Sequence, residues 1–113
     1  MTSNYTPDPI DRARIDGADG PLLLDFGTDW CGWCRRARRL VDEFAAAHPS
    51  LLHVRIEDGP GRRLGRRFRV KHWPTLVLLA DGGELARVVR PGAAADLEPL
   101  RAGLDRARSH SDS

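Results

Sequence analysis

The 113-residue chain has little cysteine: Cys31 and Cys34 are its only two, and they stand three residues apart. A single pair so close together cannot be the disulfide framework of a small secreted domain, which needs several bridges. Long hydrophobic runs are absent as well. Nowhere do about 18 apolar residues follow one another, the length at which a membrane-spanning helix becomes plausible. Met1 is followed by Thr-Ser-Asn-Tyr rather than by a charged leader and an apolar stretch, so neither export nor membrane anchoring is expected and the chain is read as cytoplasmic. Lysine is nearly missing too, since the 18 basic residues are 17 arginines and Lys71. They crowd into 35–39 and 62–71, but 16 acids bring the net charge to +2 and no Gly-rich or aromatic-studded RNA motif accompanies them. A nucleic-acid partner is therefore not expected. Most of the arginines read as solvated surface, with Arg35 and Arg36 raising the positive potential near the cysteines.

What is present describes an ordinary soluble globule, 41% apolar and 30% charged. Its length suits one domain with a modest core, expected to be monomeric, with residues 1–8 and 109–113 frayed. Leu22-Leu23-Leu24-Asp25-Phe26 reads as a buried strand, and Gly27-Thr28-Asp29 turns the chain. From Cys34 the apolar positions Ala37, Val41, Phe44, Ala45 and His48 recur at helical spacing, and Pro49 ends that helix. Upstream, a short helix is expected from Ile10 to about Ala18. Downstream come a strand at 51–57 with Leu52, Val54 and Ile56 inward, and a short basic helix at 62–69 seated by Leu64 and Phe68. A strand at 75–79, a hairpin turn at Asp81-Gly82-Gly83 and a strand at 84–89 follow. Asp96 is expected to cap a last helix with Leu97, Leu100, Leu104 and Ala107 as its core stripe. The strand–helix–strand run from 22 to 57 demands parallel pairing with a right-handed crossover. The expected fold class is α/β, a mixed sheet of about four strands with helices on both faces.

The two cysteines sit where the first strand hands over to the first turn of a helix. Unpaired N–H groups and the positive end of the helix dipole favour a thiolate at Cys31, and the thiolate is the nucleophile. Cys34, one turn on, projects from the same face and can close a small disulfide ring with Cys31. Two buried core cysteines, or half of a zinc site, are the other readings. Zinc asks for about four ligands, and His48, His53, His72 and His110 are scattered without a ligand pattern.

The segment LLLDFGTDWCGWC resembles the active-site segment of the thioredoxin family, and Trp73-Pro74-Thr75 falls where that family carries a cis-proline. The likeness runs from about Pro21 to Leu104. Three departures stand out: Trp33 where thioredoxins proper have proline, Gly27 where they usually have tryptophan, and Arg39 where proline kinks their long helix. The resemblance implies a thioredoxin-like fold and thiol–disulfide exchange through a Cys31/Cys34 couple. It implies no bound cofactor, electrons arriving from a separate NADPH-dependent, flavin-containing reductase, and protein disulfides as substrates in cell redox homeostasis.

It also assigns roles. Asp25, in the middle of an apolar strand, would accept the proton of Cys34. As an unpaired buried charge costs several kcal/mol, its carboxyl is expected to be held partly neutral, and Asp25→Asn to stabilise the fold. A satisfied hydrogen-bonding group is the plainer reading of the same residue. Alternation puts His53 about where the family has a lysine beside that aspartate. Trp73 and Pro74 would offer backbone to an extended substrate, with Trp30, Gly32 and Trp33 completing the contact surface. The three tryptophans of the chain would thus form an exposed rim. The Trp33 N–H, absent in a proline relative, could point at the Cys31 thiolate and make the couple a weaker reductant, while its bulk excludes folded clients. Two other functions fit the same residues. One is a thioredoxin-fold binding or chaperone-like protein with incidental cysteines. The other is a glutathione-linked, glutaredoxin-like protein.

Overall fold

The computed structural model describes residues 4–111, with side chains to residue 108. The elements run α1 (Arg12–Asp16), β1 (Leu22–Gly27), α2 (Gly32–Ala46), β2 (Leu52–Glu57), α3 (Arg63–Arg67), β3 (Thr75–Ala80), β4 (Gly83–Val89), a 3-10 turn (Ala94–Leu97) and α4 (Glu98–Ser111). The sheet order is β2-β1-β3-β4, with β1 parallel to β2 and antiparallel to β3, and β3 antiparallel to β4. This is the mixed α/β sheet of the thioredoxin fold.

Alternation along β1 divides the core in two, because successive side chains leave opposite faces of a strand. Leu23 joins Leu76 and Leu78 under Ala37, Val41 and Phe44 of α2 and Leu100 and Leu104 of α4. Leu22, Leu24 and Phe26 join Val77 and Leu79 under Ile10, Ile15 and Leu64. Asp25 shares the parity of Leu23, so it points toward α2, where the cysteines are. A two-residue turn with positive φ at Asp81 (52°) and Gly82 (79°) joins β3 to β4, the twist that suits a tight hairpin.

Four expectations need correcting. Leu52 is exposed, because β2 is an edge strand and Leu52 is its first residue; the inward positions include Arg55 and Ile56. Tyr5 and Thr6 are not frayed. Tyr5 is buried, Thr6 forms a parallel bridge with Ile56, and the Glu57 N–H donates to the Thr6 carbonyl at 2.9 Å. The last helix continues through Ser111, past the expected onset of fraying at 109; residues 1–3, 112 and 113, also named in that expectation, lie outside the described residues. Asp96 does not cap α4 as expected: it is the third residue of the 3-10 turn, and its Oδ2 reaches back to accept from the Gly92 and Ala93 N–H groups at 2.8 and 3.0 Å.

Candidate active site

Cys31 is the N-cap of α2, with extended backbone (φ −76°, ψ 123°), and its Sγ accepts from the Cys34 N–H at 3.3 Å. A cap position is where the first N–H groups of a helix lack intrahelical partners, so the sulfur takes the place usually filled by a side-chain oxygen. Both thiols are free. Cys31 is 8% exposed and Cys34 2%, so the difference in access is real but small, and Cys31 is less open than its position suggests. They differ more in chemistry. Burial, and then its contact with Cys31, push the Cys34 thiol up to about 12, against the smaller opposing influence of the Thr28 backbone and the Tyr5 side chain.

Gly27 is required here by space. A Cβ at this position would stand 2.5 Å from Cys34 Sγ and 3.0 Å from Cζ and Oη of Tyr5. Where the family resemblance places a tryptophan, this chain has a glycine, and Tyr5 from the N-terminal arm packs against the cysteines instead. Nothing periodic around residue 5 announces this. The one signal in the sequence is the glycine itself, a missing bulky side chain beside the motif.

Asp25 is not the unpaired carboxylate its strand suggests. Tyr5 Oη donates to Oδ1 at 2.6 Å, His53 Nε2 lies 3.1 Å from Oδ2, and Arg55 Nε lies 3.3 Å from the same oxygen. The expected His53 contact is therefore present. Directly opposite Asp25 in the parallel register, however, is Arg55, two residues on and of the same parity. Arg55 also donates to Asp42 Oδ1 of α2 at 2.8 Å, and its guanidinium lies 5.9 Å from the centre of the Tyr5 ring. With Arg55 as counter-ion, the case for an aspartyl group neutral for want of a partner no longer holds.

The Trp73–Pro74 bond is cis. Pro74 is buried and Trp73 half-buried, its Nε1 donating to Asp58 Oδ2 at 2.8 Å. Trp30, 74% exposed, meets Trp73 edge-on at 5.6 Å between ring centres. Trp33, 46% exposed, has the Arg36 and Arg90 guanidinium groups at 4.7 and 5.0 Å from its ring centre. Arg90 Nε also donates to the Trp73 carbonyl at 2.9 Å, which ties Trp33 to Trp73 through one side chain. The N–H that reaches the Cys31 sulfur is that of Cys34, where sequence reasoning pointed to Trp33. Gly32 has room around it, as a Cβ there would meet Arg36 Nη2 at an ordinary 3.7 Å. Among the described residues no group of three or more His, Cys, Asp or Glu side chains could hold a metal ion, and no helix is long and apolar enough to cross a membrane.

Residues 11–103 match the family model described as Thioredoxin. The chain is 36% identical over 72 residues to a thioredoxin of Chlamydia pneumoniae, covering 64% of this chain and 71% of that one. It is 33% identical over 92 residues to a thioredoxin of Mycolicibacterium smegmatis, covering 78% and 82%. Among solved structures, thioredoxin 2 from Pseudomonas aeruginosa PAO1 in its reduced form superposes with a TM-score of 0.80 at 48% identity, over 94% of this chain and 99% of that one.

Proposed function

We propose, on the premise that the chain belongs to the thioredoxin family and is a thiol–disulfide oxidoreductase, that Cys31 is its nucleophile and Cys34 its resolving cysteine in the reduction of protein disulfides. One observation carries the assignment, the inequality of the two thiols. Cys31 caps a helix and receives an N–H, whereas Cys34 is buried deeper and held protonated by its surroundings, with an acidity near 12. The Cys31 thiolate attacks a client disulfide, a mixed disulfide forms, and Cys34 then displaces the client thiolate to leave the Cys31–Cys34 disulfide. Asp25 is the proton acceptor for Cys34. Trp30, Gly32, Trp33, Trp73 and Pro74 form the surface on which an extended client segment lies.

The protein works as a monomer in a reducing, cytoplasmic compartment without a bound cofactor. Its electrons come from an NADPH-dependent reductase of the thioredoxin-reductase kind. Trapping tests the roles: Cys34→Ser should accumulate a mixed disulfide with a client, and Cys31→Ser should not. Accumulation by the Cys31 variant instead would reverse the assignment. Equal disulfide-reducing activity in Cys31→Ser and the native chain would point to a binding protein that needs no redox turnover.

A further inference from the structure

Tyr5 is the only tyrosine in the chain. It is buried, far in sequence from the cysteine motif, and the family chemistry described above makes no use of it. Its position is built. The Tyr5 N–H donates to Asp29 Oδ1 at 3.1 Å, an oxygen that also receives Arg38 Nη2 at 3.1 Å, and Thr6 is bridged to Ile56. The hydroxyl donates to Asp25 Oδ1 at 2.6 Å. The ring packs against the cysteine pair, Tyr5, Cys31 and Cys34 making one buried cluster. Around the missing side chain of Gly27, the Cys34 sulfur and the Tyr5 hydroxyl are neighbours, both bordering the space that a Cβ there would fill.

We propose that Tyr5 is a catalytic residue that relays the proton of Cys34 to Asp25 as the mixed disulfide is resolved. This rests on the assignment of Cys34 as the resolving cysteine. A buried hydroxyl with an acidic neighbour on each side can donate to whichever one carries the charge. The relay starts with the charge on Asp25, the group that accepts the Tyr5 hydroxyl. As Cys34 reacts, its proton passes to the Tyr5 oxygen while the proton of Tyr5 passes to Asp25 Oδ1. Tyr5 ends neutral, now donating to the Cys34 thiolate, and Asp25 ends protonated. Cys34 Sγ attacks Cys31 Sγ; the Cys31–Cys34 bond forms, the bond from Cys31 to the client sulfur breaks, and its electron pair leaves on the client thiolate. The dithiol is oxidised and the client disulfide reduced by two electrons. Asp25 then gives its proton to solvent, and the client thiolate takes one up.

The two transfers are coupled, because a free tyrosinate is disfavoured here first by burial and then by the charge of Asp25. The other groups that set the pH dependence are Cys31 on α2, Asp29 in the preceding turn, and His53 and Arg55 on β2, the last two both on Asp25.

Ellman's reagent separates the steps, as one thiolate is released when Cys31 attacks and a second when Cys34 resolves. Stopped-flow traces would be taken through the neutral pH range for the native chain, Tyr5→Phe, Asp25→Asn and the double variant. The ratio of second-phase to first-phase rate should fall about tenfold or more in Tyr5→Phe, the scale of a lost proton-transfer group. The double variant should be no slower than the slower single one, because the two residues act in one chain. A ratio and pH profile matching the native chain, or losses that multiply in the double variant, would overturn the relay. A native chain with no second phase would overturn the resolving role of Cys34 and the relay with it. Biosynthetic replacement by 3-fluorotyrosine alters only this hydroxyl and keeps the packing, which covers the case of a poorly folded Tyr5→Phe. The second-phase profile should then move to lower pH, and an unmoved profile overturns the proposal.

Discussion

The Arg55 guanidinium lies 3.3 Å from the Asp25 carboxylate, and both side chains are 2% exposed. Removing one member of such a pair strands the other. Asp25→Asn is therefore expected to destabilise the fold, the reverse of what the strand LLLDF suggests when read alone. The cost should be about 2 kcal/mol, below the 3–5 of a wholly orphaned ion because Arg55 keeps Asp42 as a partner. Urea unfolding of the reduced protein measures it. Equal or greater stability in the variant would show that Asp42 alone satisfies Arg55.

Cys34 gives a second expectation, with a definite sign. Its thiol titrates near its ordinary 9 when unfolded and near 12 when folded. Below pH 9 both states hold the proton and the stability is fully present. Between pH 9 and 12 only the unfolded state releases it, so stability falls by at most about 1.4 kcal/mol per pH unit. Reduced native protein should thus lose more stability between about pH 8 and pH 10 than Cys34→Ser does. Parallel curves for the two would mean that Cys34 is not held protonated by the fold. The same inequality predicts that iodoacetamide modifies Cys31 first at neutral pH.

Two glycines beside the cysteines should respond in opposite ways. Gly27→Ala places a methyl 2.5 Å from Cys34 Sγ and should cost about 1–3 kcal/mol, as overpacked sites do. Gly32→Ala meets nothing nearer than 3.7 Å at the first helical position and should be neutral or stabilising by up to about 1 kcal/mol. Thermal melts of the two variants decide this, and equal losses would show that the close approach at Gly27 relaxes.

Trp33→Pro should act mainly on client choice. The N–H on the Cys31 sulfur belongs to Cys34 and survives the change, so the reduction potential should fall by less than about 30 mV. Loss of the ring held between Arg36 and Arg90 should raise the rate on folded protein disulfides relative to a small aromatic disulfide. Competition in one redox buffer gives the first quantity, and paired assays give the second. An unchanged ratio of rates would remove the ring from the account of selectivity.

The parts of the site that were legible in the sequence are those with local causes. Cys31 and Cys34 are placed by a strand, a turn and a helix start that adjoin in sequence, and the facing of Asp25 follows from alternation. Parity also put His53 on the correct face. It could not tell His53 from Arg55, because alternation fixes the face of a strand and leaves its slide along the neighbour free by steps of two. Tyr5 lay beyond reach for a different reason: a single anchor in an arm without periodicity has no pattern to detect. Leu52 was misplaced because an edge strand exposes its first residue whatever its hydrophobicity.

The bridge between Thr6 and Ile56 bears on how this protein can be shortened. The family match begins at residue 11, just before the first helix. A fragment cut there would retain each named helix and strand, and its circular dichroism should differ little from that of the whole. It would nonetheless have lost the aromatic plug beside Cys34 and the hydroxyl on Asp25, leaving a water-accessible notch at Gly27. A trimmed version could thus look folded and still resolve mixed disulfides poorly.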